Sequence, residues 1–193
     1  LFGETDVLKT ITLLPGIKSG GEGNGGIYVR GGGPDQNLVL MDEGVVYNAS
    51  HLLGFFSVFN GDAVDQIDLI KGGMPAEYGG RLSSIINVKM KEGDLQKHSV
   101  NGGIGLISSR ISAEGPIKKN KSSYLFSARR TYADAVARPF LADSIKGNRL
   151  FFYDMNAKIT WLLSTKDKLT LSAYYGRDVF DFISPDGPDF KFG

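Results

Sequence analysis

The chain has 193 residues, with 22 Lys+Arg against 21 Asp+Glu, 26 glycines and no cysteine. That length allows one large or two small cores, the balanced charge without a basic stripe argues against a nucleic-acid partner, and the missing cysteines exclude disulfides, thiol catalysis and thiolate metal sites. No apolar run is long enough for a transmembrane helix, while 41% hydrophobic residues suit a soluble protein and a strand-built membrane protein equally, because a barrel strand alternates its faces.

In chain order, Glu4 to Leu14 predicts a short helix. Thr5 or Asp6 can cap it, Val7, Leu8, Ile11 and Leu14 recur at helical spacing, and Pro15-Gly16 stops it. Lys18 to Gly26 is Gly-rich and polar, hence a loop. It contains GxGxxG at Gly21, Gly23 and Gly26, but a dinucleotide site needs a strand before and a helix after, and here the order is inverted. Ile27-Tyr28-Val29-Arg30-Gly31 and Asn37 to Gly44 read as strand, turn, strand, with turn chemistry at Gly32-Gly33-Pro34-Asp35. Asp42 and Glu43 are neighbours and cannot share a substrate from one strand face, so they read as a turn-forming acidic pair.

Val45 to Asp62 carries Tyr47, His51, Leu52, Leu53, Phe55, Phe56 and Phe59, followed by a predicted helical turn near Asp62 to Gln66. Two readings stay open: rings packing a small core, or a ligand-contacting loop. About eighteen residues is long for a connection within a compact domain, and such excess is commonly functional. The aromatic rings offer large contact area for little entropy loss. Tyr47, Asn48, His51 and Phe55 are expected at the outward surface, with Phe56 and Phe59 beneath. His51 has no Cys, His or acidic partner at ligand spacing, so no metal site is expected. Ile67 to Ile70 alternates, Gly72-Gly73 ends it, and after a turn through Met74 to Gly80 a second strand runs from Ile85 to Met90.

From Asp94 glycines thin out. Met155, Ala157, Ile159, Trp161 and Leu163 share one strand face, with Asp154, Asn156, Lys158, Thr160 and Ser164 on the other. A turn at Thr165-Lys166-Asp167 leads to Leu169, Leu171, Ala173 and Tyr175, opposite Thr170, Ser172 and Tyr174. Leu106 to Glu114 and Ser123 to Tyr132 form a weaker pair around Gly115 to Asn120. Strands of about 9–11 residues or more would span a membrane when tilted, and Tyr153, Trp161, Tyr174 and Tyr175 read as a girdle near strand ends. A soluble sandwich face would alternate in the same way. The Ala133 to Arg149 connection is long against two short turns, so it and the tail after Asp178 are expected outside the cell.

Three motif groups resemble the plug domain of TonB-dependent outer-membrane receptors. The first is Gly3-Glu4-Thr5-Asp6-Val7-Leu8-Lys9 with Leu13-Leu14-Pro15-Gly16-Ile17, similar to the first helix of the Bacteroidetes-type branch. The second is Arg30-Gly31 with Asn37 to Asp42, departing from the family pattern where Glu43 separates Asp42 from Gly44. The third is Ile67 to Lys91, with strand, Lys71-Gly72, small turn, Tyr78-Gly79 and final strand. The resemblance implies an α+β plug domain, a small mixed sheet with short helices, over residues 1–93. It implies the first antiparallel strands of a transmembrane β-barrel, incomplete here, over 94–193. Both chain ends are expected to continue in a longer protein.

By the same resemblance the whole protein would be a receptor and transporter of the Gram-negative outer membrane. Its plug would gate uptake of a scarce solute, whether siderophore, cofactor, glycan or peptide. Its partners would be the TonB energy-transducing complex, reached through an upstream box outside this sequence, the solute, and an optional surface lipoprotein. Arg30, Asp42, Glu77 and Arg81 are expected to make polar plug–barrel contacts, though each also reads as a solvated or turn-stabilising charge. No cofactor is expected. Two histidines, no cysteine and no paired carboxylates leave little for an enzyme to build from. A secreted or surface β-rich adhesion protein is the other reading.

Overall fold

The computed structural model describes residues 6–21, 25–137, 139, 148–182 and 190–192, and the chain divides into two compact units, Thr5–Glu92 and Gly93–Gly193. No helix among the described residues is long and apolar enough to cross a membrane.

The first unit opens on α1 (Val7–Ile11), shorter than the predicted helix. Asp6, not Thr5, is its cap. One carboxylate oxygen accepts the Lys9 N–H at 3.0 Å and the other accepts the Ser57 N–H at 3.0 Å, so one side chain both starts the helix and ties it to a distant strand. Leu13 and Leu14 lie past the last turn and are exposed. β1 (Ile17–Ser19) pairs antiparallel with β2 (Ile27–Val29), so part of the predicted Gly-rich loop is a strand; residues 22–24 of the GxGxxG lie outside the described residues.

The strand–turn–strand order read from the sequence is present, but β3 (Asn37–Met41) does not pair with β2. A 3-10 turn at Pro34–Gln36 carries the chain into a different sheet. There β3 turns back through Asp42 and Glu43 into β4 (Gly44–Val45). Both turn residues have positive φ, 46° and 70°, the backbone that a two-residue hairpin requires. The acidic pair is therefore a turn, as read from the sequence.

The long connection that follows is not structureless. It contains β5 (Ser50–His51), a turn at Leu52–Gly54 and β6 (Phe56–Ser57), with β5 and β6 paired. The helical turn predicted near Asp62 to Gln66 is absent. After a turn the chain enters β7 (Val64–Ile70), because Val64 pairs with Met90 and continues the ladder with β8 (Ser84–Met90).

The sheet order is β4-β3-β8-β7, and β3 and β8 are parallel. A strand flanked on both edges and covered on both faces reads as a continuous apolar run, which is why Ile85-Ile86-Asn87-Val88 has no exposed face. Ile86 and Val88 join Val7, Ile11, Val29 and Phe59 in the main core, while Ile85 packs with Leu38 and Leu40 on the opposite face. Fully burying each such side chain contributes about 1.5–3 kcal/mol. The small sheet is pinned to the large one by buried Asn37, whose amide donates to the Ile27 carbonyl at 2.6 Å and whose oxygen accepts the Ser84 hydroxyl at 2.8 Å.

The second unit is an antiparallel meander. β9 (Ser99–Ile104), β10 (Ser108–Lys118), β11 (Ser122–Thr131), β12 (Arg149–Leu162), β13 (Lys168–Phe182) and β14 (Phe190–Phe192) pair in that order, with α2 (Ala133–Ala137) between β11 and β12. Gly93 begins the unit at φ +81, and a Cβ there would meet the Tyr124 carbonyl oxygen at 2.3 Å. Only glycine fits both constraints.

Gly115 and Pro116, read as turn residues, lie within β10, where the register shifts between Pro116 and Lys118; the turn is confined to Lys119–Lys121. A bulge is where a sheet accommodates proline. The tight turn after β12 is held by the Ser164 hydroxyl, which accepts the Lys166 and Asp167 N–H groups and donates to the Asp167 carboxylate. β13 extends to Phe182, past the expected loop start at Asp178. Residues 138 and 140–147 of the long connection lie outside the described residues.

Candidate functional site

The faces of β12 settle what the alternation left open. Asp154, Asn156, Lys158 and Thr160 are each at most 5% exposed, whereas Met155 is 43% exposed on the opposite face. Register places Leu169, Leu171, Ala173 and Tyr175 of β13 beside Trp161, Ile159, Ala157 and Met155, while residues 168–177 are exposed on both faces of that strand. On β11, Ser123, Ser127, Arg129 and Thr131 are buried and Phe126 is exposed. A sheet in water buries its apolar side; this one buries the polar side, as a membrane barrel does. Trp161 and Tyr153 stand toward the two ends of the outward face, but Tyr174 and Tyr175 are mid-strand, and Tyr174 belongs to the polar face.

Within that polar face Arg129 donates from Nε and a terminal nitrogen to one Asp154 oxygen, at 2.9 and 2.5 Å, and its guanidinium lies 4.9 Å over the Phe152 ring. Both charges are almost fully buried, at 2% and 0% side-chain exposure. A pair so desolvated fixes strand register, since moving either partner strands the other.

In the first unit, a cleft of about 500 Å³ is lined by Asp35, Asn37, Tyr47, Asn48, Leu53 and Arg81, among others. Its apolar floor includes Leu38, Val39 and Ile86. Three of the residues singled out from the sequence, Tyr47, Asn48 and Arg81, thus meet on one cavity. Tyr47 is 89% exposed and Asn48 accepts the Ser50 N–H at 3.2 Å, which shapes the loop beside it. The Leu52–Gly54 turn has positive φ at all three residues, 49°, 57° and 99°, a costly backbone for leucine. Leu53 is 71% exposed at the cleft.

The other predicted positions are dispersed. His51 is 3% exposed, which corrects the surface placement: it pairs with Phe56 on a strand and faces inward. Phe55 is 45% exposed but does not line the cleft, and Phe59 is buried in the core. Asp42 accepts the Met90 N–H at 3.0 Å while its own N–H donates to the Val88 carbonyl, so it serves the hairpin and the sheet. Arg30, at φ 49°, is exposed on a separate cleft with Lys71, Gly72 and Ser83, and Glu77 is exposed in the turn before Tyr78. Asp35 and Asn37 were not anticipated in the cleft. Their turn and strand residue types carry no binding signal, and only the parallel pairing of β3 with β8 brings them near Arg81.

No group of three or more His, Cys, Asp or Glu side chains suited to a metal ion occurs among the described residues. One ion pair organises the exposed sheet edge: Lys89 Nζ lies 2.8 Å from Asp68, which also accepts Gln66. The Lys89 contact, then the Gln66 contact, hold the Asp68 carboxyl below its ordinary range, and Asp68 holds Lys89 above its own.

The sequence model of the TonB-dependent receptor plug domain matches residues 2–84. The vitamin B12 transporter BtuB of Vibrio vulnificus strain YJ016 is 34% identical over 110 residues, covering 52% of this chain and 17% of the relative. Among solved structures, the siderophore receptor PirA from Acinetobacter baumannii superposes with a TM-score of 0.65 at 17% identity, over 93% of this chain and 30% of that one. The FrpB iron transporter from Neisseria meningitidis gives 0.60 at 22% identity, again over 93% and 30%. The chain therefore spans under a third of the length of each of these proteins, and at those identities the structures speak to the fold alone. Residues 2–84 therefore match the plug domain of TonB-dependent receptors, and polar-in, apolar-out strands follow that domain in the same chain.

Proposed function

We propose that the receptor containing this chain lies in the outer membrane of a Gram-negative cell and imports a scarce solute, with the plug as gate and TonB as the source of energy. The observation that carries this is the inverted burial of β10 to β12 directly after a plug domain. A chain with lipid-facing strands and a separate folded domain in the same stretch is built to block a pore and release it. Catalysis has no comparable support, since no nucleophile, base and metal-ligand set converges in the cleft.

The solute is held, in this reading, over the cleft rimmed by Tyr47, Asn48, Asp35 and Arg81. Tyr47 offers a ring face and a hydroxyl, Asn48 and Asp35 offer polar contacts, and Arg81 offers a forked donor for a carboxylate or phosphate. The strained Leu52–Gly54 turn supports this reading, because such strain collects at ligand sites. Arg30 and Glu77, both exposed, are the remaining charges offered to the barrel's polar wall; a polar, hydrated plug surface is cheaper to part than a dry apolar one. TonB would engage a segment upstream of residue 1, and a surface lipoprotein is an optional partner. An adhesion protein, the competing reading, would cover the apolar faces with a second sheet, and on β10 to β13 those faces are exposed.

The test is uptake by cells expressing the full receptor, with labelled cobalamin and ferric siderophores as the probes suggested by the relatives' names. Accumulation of one of them that needs TonB, and that falls tenfold or more with Tyr47→Ala plus Arg81→Ala, is the expected result. Equal accumulation without TonB would overturn the gating mechanism. Full binding by the double variant would overturn the site.

A further inference from the structure

One row across the outward face of the second unit breaks its apolar pattern. Ser109, Arg130, Tyr153 and Arg177 are in register on four successive strands, β10 to β13. Arg130 and Arg177 are exposed. The Arg130 guanidinium lies 5.2 Å over the Phe151 ring, and the Tyr153 ring is 6.1 Å from that of Tyr175. Arg130 is faced across the strands by Ser109 and Tyr153, and Arg177 by Tyr153; among the described residues the acidic one on this face, Asp181, is paired with Arg149 four residues further along.

The row also has a depth. From it the outward face runs through Met155 with Tyr175, Ala157 with Ala173 and Ile159 with Leu171, ending at Trp161 with Leu169. The eight steps from Tyr153 to Trp161 cover about 26 Å of strand, and about 20 Å of membrane thickness at a tilt near 40°. The arginines thus stand near one edge of the apolar band, one row (Phe151 with Val179) inside the charged pair Arg149 and Asp181, and Trp161 stands at the other edge. An arginine is tolerated at that edge because its head reaches the polar interface while its stem stays apolar. Beside Arg130 a shallow groove of about 550 Å³ is lined by Ile111, Ala128, Phe151, Tyr153 and Met155, and it runs into the apolar band.

We propose that Arg130, Tyr153 and Arg177 bind the phosphate of a membrane lipid headgroup, with an acyl chain lying in the groove along Ile111 and Met155. Two guanidinium forks on either side of a phenol hydroxyl match the oxygens of a phosphate monoester, which accepts bidentate donors. The row sits at the strand ends joined by the long 132–148 connection, away from the short turns at 119–121 and 163–167. Long connections of such barrels face outward, so the occupant is an outer-leaflet lipid, the phosphorylated glucosamine headgroup of lipopolysaccharide. The site rests on the barrel reading above.

The full receptor, purified in detergent, is titrated with phosphorylated lipid A in mixed micelles and the bound lipid counted by native mass spectrometry. The wild type should bind, and Arg130→Gln plus Arg177→Gln should lower affinity at least tenfold. Arg130→Lys plus Arg177→Lys should fall in between, since charge remains and the fork is lost. Removing both phosphates from lipid A should weaken binding to the level of the Gln variant. Heat-dependent gel migration checks that each variant remains a folded barrel. Unchanged affinity in the Gln variant, or equal binding of dephosphorylated lipid A, would overturn the site. Displacement by millimolar inorganic phosphate would make it a free-anion site, and tighter binding of phosphatidylglycerol would place it in the other leaflet; either overturns the assignment to lipopolysaccharide. A receptor that fails to enter micelles at all would refute the barrel reading instead.

Discussion

β8 and β12 are both central strands, yet they bury opposite things. β8 withdraws Ile85, Ile86 and Val88 from solvent and leaves Lys89 exposed; β12 withdraws Asp154, Asn156, Lys158 and Thr160 and leaves Met155 exposed. The first is stabilised by transfer of apolar surface out of water. The second has its apolar surface where a hydrocarbon solvent would be, so its buried side must be held by hydrogen bonds and ion pairs. The lesson is that burial has no fixed chemical meaning until the solvent on the other side is known.

The comparison can be broken first at its two cores. Phe59→Ala in the plug should cost about 3–5 kcal/mol, the usual range for a deleted buried ring; Phe59 is 1% exposed. Urea unfolding of residues 1–92 expressed alone measures it, and that unit should stay in solution without detergent. On the strand side, Asp154→Ala takes from buried Arg129 its carboxylate partner and should also cost about 3–5 kcal/mol, whereas Arg129→Met with Asp154→Leu should be near neutral. Thermal inactivation of the full receptor in detergent distinguishes the two. Equal losses in the single and double variants would mean that the pair does not behave as a desolvated ion pair.

The next test moves a charge across one strand. Ala173→Arg, facing outward at mid-depth, should cost about 2–4 kcal/mol of membrane-inserted stability. Ser172→Glu, adjacent in sequence but opposite Lys158, should change it by under about 0.5 kcal/mol. Refolding yield into vesicles reports both, and similar behaviour of the pair would erase the distinction between the faces.

Smaller effects lie within the plug. Asp6→Ala removes the helix cap and the tie to Ser57, a loss of about 1–2 kcal/mol, and Asp6→Asn should recover part of it. The smallest concerns Asp68 and Lys89. The folded-state pKa of Asp68 is lowered, so its contribution is present above the unfolded carboxyl value, about 3.9, and is lost as pH falls through the folded value. Lys89 is raised, so its contribution is present below about 10.4 and is lost as pH climbs through the folded value. Asp68→Asn should flatten plug stability slightly in both windows, and only at low salt, because the pair is exposed.

Much of the fold was legible. Alternation at Met155 to Trp161 assigns residues to faces because side chains on a strand repeat every two positions, and Asp42-Glu43 before Gly44 reads as a turn. Helix extent was less legible: Leu14 continues the helical spacing of Val7 and Ile11, but the helix ends at Ile11 because the turns before Pro15-Gly16 leave no core above it. His51 was expected at the surface because it lies in a long connection read as a ligand-contacting loop. Its burial follows from pairing with Phe56, a contact that sequence spacing does not encode. The cleft was half legible: Tyr47, Asn48 and Arg81 stood out by type, but Asp35 and Asn37 did not.

By itself the amino-acid order determined the period of the long strands, the turns at Asp42-Glu43 and Thr165 to Asp167, and the division between a Gly-rich first half and an alternating second half, because these depend on local backbone geometry and side-chain spacing. Which strands pair, and which face of each is sheltered, only the tertiary structure decided. The parallel β3–β8 pair joins residues far apart in the chain, and β2 leaves β3 for another sheet although only a short turn separates them. The same alternation serves a sheet in water and a barrel in lipid equally well, since period two carries no sign. The sign is set when long-range packing shelters Asp154 and Thr160 and leaves Met155 and Leu171 outside.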